Sequence, residues 1–244
     1  MTIQSIPFAA ESINDKSGDE SVSIDKNFRR TKLMAVMLGV ILAGLLVFSS
    51  DGRAALPQQV KALYLPSHCF TERKISEFIH YAGLAGLNAV VLHVKDPHGW
   101  VRWKSNNQLA RETGALATNG LVEPALKRLK ARGFWTIAKL DVFVDHRLVS
   151  RHPEMGIRNT ATGRQWLDKN GLGWANPFNP TVWDYNIALC RELVDLGFDE
   201  IQFDYIRFPS DGDLAAIEYP VRRDHLSKTA CIGRFLETAR RALK

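Results

Sequence analysis

The sequence has few cysteines and shows no spacing of cysteine or histidine that is typical of a metal site. Cys69, Cys190 and Cys231 are far apart and odd in number, and neither CxxC nor HExxH occurs. Neither a disulfide framework nor a zinc cluster follows from such a pattern. A glycine-rich turn after the first predicted strand is also missing, which disfavours a dinucleotide site. We therefore expect neither a metal nor a cofactor.

A strong excess of charge is missing as well. The net charge is +6, and much of the basic excess lies near the C-terminus. A basic tail can bind nucleic acid, but this one is typical of the solvated face of a terminal helix, so we expect no nucleic-acid partner. A hydrophobic content of 45% in 244 residues suffices for one sizeable core rather than two full domains.

One long apolar run lies near the N-terminus. Residues 1–28 are polar, which is typical of a disordered segment. Residues 29–50 begin with basic residues and continue as the apolar run Leu33–Phe48, which barely reaches the length of about 18 residues needed to span a bilayer. The pattern predicts a transmembrane signal anchor, or a signal peptide cut near Ala54, with the main domain exported to the periplasm or outside the cell.

From residue 60 onward, predicted strands alternate with predicted helices. The strands are Val60–Leu65, Asn88–Val94, Phe134–Phe143 and a fourth within Gly197–Pro209; the helices run from a Thr71 cap to Leu84, over Leu121–Arg132 and Thr181–Leu196, and from a Ser227 cap to Leu243. This alternation is typical of a parallel sheet with right-handed crossovers.

The number of these units bounds the architecture. Residues 60–244 are too few for an eight-unit barrel of about 250 residues. We predict an α/β fold, a partial (β/α)8 TIM-type barrel of about four βα units preceded by the transmembrane or signal helix. A five-stranded doubly wound sheet is the competing architecture, although the glycine-rich turn that usually supports it is missing.

Carboxylates near strand ends are the candidate catalytic residues. A carboxylate is costly to desolvate at the end of an apolar strand unless it has a partner or a task there. Asp204 ends the fourth strand, and chemistry in a parallel barrel occurs at that end. The alternative is that Asp204 only pairs with Lys139 or Arg207. Asp96 and Asp141 are the other carboxylates near strand ends.

Several segments resemble a family of glycoside hydrolases related to the α-amylase-type barrels. The most specific is FDEIQFDYIRFP at 198–209, and the others are LHVKD at 92–96, WANPFN at 174–179 and WDYN at 183–186. The resemblance covers roughly residues 60–212. It implies a (β/α)8 barrel that cleaves or binds carbohydrate, with Asp204 as the nucleophile-type carboxylate.

The sequence departs from this family pattern in two residues and in length. His93 replaces an expected acidic residue, and Lys139 replaces an expected arginine. The chain also ends before strands five to eight, one of which carries the general acid in amylase-like relatives. Because glycoside cleavage usually needs two carboxyl groups, the pairing left is Asp204 as nucleophile with Asp96 or Asp141 as acid.

Basic, amide and aromatic side chains near the strand ends are the candidate sugar ligands. The basic ones would hold Asp204 ionised and bind hydroxyls, unless they form an ion-pair network that closes the barrel mouth. The predicted substrate-binding residues are Lys95, Lys139, Trp174, Asn176, Gln202, Tyr205 and Arg207. Trp100, Trp103, Trp166 and Trp174 offer flat rings for stacking on sugars, unless they pack in the core.

Together these features predict a membrane-anchored, exported glycoside hydrolase that acts on an extracellular or cell-wall polysaccharide. A non-catalytic carbohydrate-binding or scaffold protein, or a truncated inactive fragment of the hydrolase, is the alternative. An open half-barrel would expose strand edges, so self-association through them is also expected.

Overall fold

The computed structural model describes residues 4–7, 56–222 and 226–244. Its strands are β1 Gln4–Pro7, β2 Ala62–Leu65, β3 Ala89–Lys95, β4 Trp135–Asp141, β5 Arg158–Asn159, β6 Glu200–Asp204 and β7 Ile217–Glu218. Its α-helices are α1 Glu72–Leu84, α2 Gln108–Glu112, α3 Val122–Lys130, α4 His146–Arg151, α5 Pro180–Asp195 and α6 Lys228–Ala242.

Four parallel strands form the centre of the fold in the order in which they occur along the chain. β2 pairs with β3, β3 with β4 and β4 with β6, and β1 runs antiparallel along the outer edge of β6. A doubly wound sheet would instead reverse its strand order at a switch point. The predicted mixed α/β fold with a four-stranded parallel sheet is confirmed, and the strand order is compatible with a partial TIM-type barrel.

Two helices begin at the caps that the sequence indicates. Thr71 caps α1 by accepting a hydrogen bond from the Lys74 amide, and Ser227 caps α6 through the Ala230 amide. An N-cap of this kind satisfies one of the free backbone N–H groups of the first turn. In α1 the apolar stripe of Ile75, Phe78 and Ala82 is buried. It packs in the main core, as the predicted helical period requires.

The alternation of side chains along the strands separates two faces of the sheet. The helix-covered face carries the main core, including Val90, Leu92, Val94, Ala138, Leu140, Ile201 and Phe203. The opposite face carries a smaller buried cluster of Ala89, Trp135 and Ile137. On this second face, polar side chains follow the apolar ones toward the carboxyl ends of the strands.

Asp199 fixes how β6 lies against β4. Its buried carboxylate accepts hydrogen bonds from the backbone amide and the hydroxyl of Thr136, each at 2.8 Å, and pairs with Lys130. These contacts join the start of β6 to the start of β4 and to α3. In the resulting register, Asp141 at the end of β4 lies opposite Asp204.

No helix among residues 4–7, 56–222 and 226–244 is long and apolar enough to cross a membrane. The predicted anchor at residues 29–50 lies outside the described residues, as does most of the predicted disordered segment at 1–28, of which the described part is β1.

Candidate functional site

Asp204 lies at the carboxyl end of β6 with its side chain 36% exposed. Its Oδ2 is 2.8 Å from Lys139 Nζ, and its Oδ1 accepts a hydrogen bond of 2.7 Å from the Tyr205 amide. The strand ends here because Tyr205 has a φ of 50°. This left-handed backbone conformation is rare for residues other than glycine. This turn directs the Tyr205 amide back to the carboxylate.

Burial raises the pKa of Asp204, but the hydrogen bonds from Lys139 and from the Tyr205 amide and the nearby positive charge outweigh it. The pKa of Asp204 is therefore held below its usual value. Burial similarly lowers the pKa of Lys139, but the charge and hydrogen bond of Asp141 and those of Asp204 outweigh it and raise that pKa. Near neutral pH the two groups form an ion pair.

Asp141 shares the Lys139 ammonium with Asp204. The Asp141 Oδ1 is also 2.8 Å from Lys139 Nζ, so the two carboxylate oxygens are separated by at most twice that distance. The Asp141 side chain is only 1% exposed. One buried carboxylate and one accessible carboxylate are thus held by the same cation.

His93 and Tyr64 extend this group across β3 and β2. The His93 Nε2 is 3.2 Å from Lys139 Nζ and 3.2 Å from Asp141 Oδ2, and the His93 Nδ1 is 2.7 Å from the Tyr64 hydroxyl. His93 faces Lys139 in the β3–β4 register. Each of the four parallel strands therefore contributes to one strand-end cluster, consisting of Tyr64, His93, Lys139, Asp141 and Asp204.

Tyr64 is the accessible end of the strand-end cluster, with 45% of its surface exposed. Partial burial raises the pKa of its phenol, and the carboxylates of Asp141 and Asp204 add to the rise against the lowering effect of Lys139. Tyr64 is consequently a neutral phenol near neutral pH. The sequence indicated no role for Tyr64, and it marked His93 only as a departure from the family pattern.

Two residues that the sequence predicts for the site lie apart from this cluster. The Asp96 carboxylate accepts hydrogen bonds of 3.1 Å from the backbone amides of His98 and Trp100. It also forms an ion pair of 3.3 Å with Arg102. It therefore shapes the turn after β3. Lys95 is fully buried, and its Nζ lies 2.8 Å from Asp145 Oδ2 and 2.6 Å from the Asp141 carbonyl oxygen. Lys95 supports the strand end but is out of reach of a ligand.

The predicted ligands in the segment after β4 are also used within the fold. Trp174 is 1% exposed and donates its indole N–H to Asp168. Asn176 is buried. Its side-chain amide donates a hydrogen bond to the Val221 carbonyl and accepts one from the Phe178 backbone amide. These contacts hold the long connection between β4 and α5 in place, so neither side chain is presented to a ligand.

Arg207, Tyr205 and Gln202 remain near the strand-end cluster. The Arg207 guanidinium lies 5.0 Å from the Trp174 ring centroid and donates a hydrogen bond of 2.6 Å to the Ser210 hydroxyl. Arg207 and Tyr205 together form what we call the rim. Among the described residues, Arg207 forms no ion pair with Asp204, whereas Lys139 does. Gln202 lies opposite Lys139 in the β4–β6 register.

The other tryptophans predicted to stack on sugars are largely covered. Trp103 and Trp166 are 1% and 2% exposed, and their indole N–H groups donate to Glu192 and to the Asp213 carbonyl. The Arg147 guanidinium lies 3.4 Å from the ring centroid of Trp100. Trp103 and Trp166 pack within the fold, which was the alternative to sugar stacking, whereas Trp100 is partly exposed.

Within the described ranges, no group of three or more histidine, cysteine, aspartate or glutamate residues could hold a metal ion. The strand-end cluster instead pairs its carboxylates with an ammonium and an imidazole. Such an arrangement suits proton transfer and the stabilisation of developing charge.

Comparison with solved structures gives a similar fold in proteins of very different size. The crystal structure of a hypothetical protein from Ruminiclostridium thermocellum ATCC 27405 is 33% identical, with a TM-score of 0.69, and the match covers 75% of this chain and 93% of that one. Alpha-L-fucosidase isoenzyme 2 from Paenibacillus thiaminolyticus is 19% identical, with a TM-score of 0.51, over 76% of this chain but 31% of that one. This second likeness shows the fold alone.

No curated protein matches the chain. A protein-family model, in contrast, matches residues 62–244, which is well over half of the chain and includes every residue of the strand-end cluster. The resemblance to a glycoside hydrolase family that the sequence motifs indicated is thereby confirmed. The chain therefore belongs to the family DUF4015, which is described as "Putative glycosyl hydrolase domain".

Proposed function

We propose that the protein hydrolyses a glycosidic bond and that Asp204 is the carboxylate that attacks the anomeric carbon. The observation that carries this proposal is the state of Asp204, because it is accessible at the end of a parallel strand and is held ionised by Lys139. A nucleophilic carboxylate needs these two properties together. The fold we propose is the first half of a (β/α)8 barrel, in which this strand end faces the substrate.

Asp141 has a different task in this proposal. Because its side chain is buried, it cannot reach a leaving group, but its charge fixes the Lys139 ammonium beside Asp204. Asp141 therefore acts by positioning Lys139, and it is not the second catalytic carboxyl group whose distance from the nucleophile distinguishes retaining from inverting glycosidases.

The family and the N-terminal sequence support a proposal for the substrate class. We propose a polysaccharide outside the cytoplasm as the substrate, with the apolar segment at residues 29–50 as the membrane anchor. The rim of Tyr205 and Arg207 offers an aromatic edge and a guanidinium to sugar hydroxyls. Asp204, Lys139 and Tyr64 would contact the sugar at the cleavage point.

The experiment that tests this proposal is hydrolysis of a panel of 2,4-dinitrophenyl α- and β-glycosides by the full chain and by Asp204→Asn. The substitution keeps the size of the side chain and removes the nucleophilic charge. We expect turnover of the sugar that the wild type accepts to fall at least about 1,000-fold, which is about 4 kcal/mol of transition-state stabilisation.

Asp195→Asn is the matched control, since Asp195 is exposed at the end of α5, and its turnover should equal that of the wild type. Thermal unfolding of both variants shows whether they fold. Unchanged turnover in Asp204→Asn would rule out its role as nucleophile. Binding of oligosaccharides without hydrolysis of any panel member would instead favour a non-catalytic carbohydrate-binding protein.

A further inference from the structure

The hydrogen-bonding capacity of Lys139 fixes where the protons of the strand-end cluster lie. An ammonium group has three N–H donors and no acceptor. Three acceptors surround it, namely Asp141 Oδ1 at 2.8 Å, Asp204 Oδ2 at 2.8 Å and His93 Nε2 at 3.2 Å. The Nε2 of a neutral His93 must therefore be unprotonated, since two donors would otherwise face each other.

The proton of a neutral His93 is then on Nδ1, and it is donated to the Tyr64 oxygen at 2.7 Å. Because the Tyr64 oxygen accepts this bond, its own hydroxyl hydrogen has no partner in the cluster. Tyr64 is half-exposed, so this hydrogen can turn toward a ligand beside Asp204.

A buried oxygen in the cluster agrees with this assignment. Among the described residues, Asp141 Oδ2 is buried without a hydrogen-bond partner although it lies 3.2 Å from His93 Nε2. Nε2 has hydrogen-bond geometry with Lys139 Nζ instead, so the ring directs this nitrogen at the ammonium and not at the carboxylate.

We propose that Tyr64 is the acid and base of the glycosidic reaction and that it works through a proton relay of Lys139, His93 and Tyr64. This proposal rests on the proposed function of Asp204 as nucleophile. It supplies the proton donor that neither Asp141 nor Asp96 is placed to provide. The ligand that Tyr64 takes is the glycosidic oxygen of the leaving group.

In the first step, Asp204 Oδ2 bonds to the anomeric carbon as the bond to the leaving oxygen breaks. That oxygen takes the hydroxyl proton of Tyr64, Tyr64 takes the Nδ1 proton of His93, and Nε2 takes a proton from Lys139. In the second step, water attacks the anomeric carbon and releases Asp204. The proton of the water returns along the same path, so Tyr64 acts first as acid and then as base.

The charges in the cluster favour proton transfer from Lys139 while Asp204 forms its ester. Lys139 has two anionic neighbours in the resting protein, Asp141 and Asp204. When Asp204 becomes an ester it loses its charge, and Lys139 gives up a proton more readily. The charge of the cluster is the same before and after the first step. The release of Asp204 in the second step restores the attraction that reprotonates Lys139.

The proton arrangement can be tested without a substrate. In the full chain labelled with ¹⁵N-histidine, NMR should show His93 with a protonated Nδ1 and an unprotonated Nε2. In Lys139→Met the donor to Nε2 is lost, so protonation should shift toward Nε2, where Asp141 accepts it. Protonation of His93 on Nε2 in the wild type would overturn the relay.

The donor role predicts a dependence on the leaving group. General acid catalysis contributes about 10² to 10⁴-fold when the leaving group is poor. With the sugar identified in the glycoside panel, Tyr64→Phe should lose about 100-fold or more in kcat/KM on the phenyl glycoside. It should lose only a few-fold on the 2,4-dinitrophenyl glycoside, whose leaving group needs no proton.

Tyr81→Phe is the control, because Tyr81 is 66% exposed on α1, and both substrates should keep their wild-type rates. Equal losses on both substrates, or full activity of Tyr64→Phe in an active enzyme, would overturn the donor role and leave Asp204 as nucleophile. A wild type that hydrolyses no glycoside would overturn both proposals, whatever the protonation of His93.

Discussion

A buried ion pair behind the strand ends should make a large and measurable contribution to stability. Lys95 and Asp145 are 0% and 1% exposed, and their charged atoms lie 2.8 Å apart. Removing one partner of such a pair leaves an uncompensated buried charge, which costs about 3 to 5 kcal/mol. We expect Lys95→Met and Asp145→Asn each to lower the free energy of unfolding by about this amount.

The double variant distinguishes loss of the pair from loss of packing. Asparagine can still cap α4 as Asp145 does through the Leu148 amide, and methionine fills the space of the lysine stem. The double variant should therefore lose much less than the sum of the two single variants. Urea unfolding followed by far-ultraviolet circular dichroism measures each loss, with about 2 kcal/mol per molar urea as the expected slope.

An exposed pair with a similar distance is the matched control. Arg73 and Glu77 lie 2.7 Å apart on α1 with side chains 76% and 49% exposed. Arg73→Met should cost no more than about 0.5 kcal/mol, because water screens such pairs. If Lys95→Met were as mild as Arg73→Met, or if the double variant lost the full sum, the reasoning about this pair would be refuted.

Three further outcomes follow from the contacts described above. Gly99→Ala should lower the melting temperature by more than Gly133→Ala. Both glycines have a positive φ, but a Cβ at Gly99 would lie 2.2 Å from Asp145 Oδ1, whereas a Cβ at Gly133 would meet nothing within 4 Å. Asp199→Ala should cost several kcal/mol in urea unfolding, since three donors lose a buried acceptor. In an NMR titration, Lys139→Met should raise the pKa of Asp204. Folding lowers the pKa of Asp204, so the stability that Asp204 contributes is complete above its unfolded pKa of about 3.9. This stability is lost as the pH falls through the lower pKa of the folded state. Lys139→Met, which lacks the lowered pKa, should therefore lose less stability in acid than the wild type.

The strands and the main helices could be predicted because their signals are local. The apolar runs, the Thr71 and Ser227 caps and the alternation of elements all lie within short windows of sequence. Asp204 could be nominated on the same basis, because its place at a strand end follows from the fourth strand alone. The register that brings it opposite Asp141 depends on contacts of Asp199 with residues more than sixty positions away, which no local pattern contains.

The prediction for Lys95 shows how a small irregularity redirects a side chain. The pairing of β3 with β4 shifts between His93 and Lys95. A shift by one residue moves side chains to the other face of a sheet. Lys95 consequently enters the core beside Asp145, while His93 stays with the strand-end cluster. Sequence alternation alone would have placed both on the same face.

The anchored tryptophans have a consequence for how ligand binding can be observed. Five of the six indoles donate their N–H to a fixed acceptor, and Trp100 is the exception. Trp174 lies against the rim, with its ring 5.0 Å from the Arg207 guanidinium and 6.0 Å from the Tyr205 ring. A sugar bound at the rim should therefore change the fluorescence of Trp174, whereas the other anchored rings report the integrity of the scaffold.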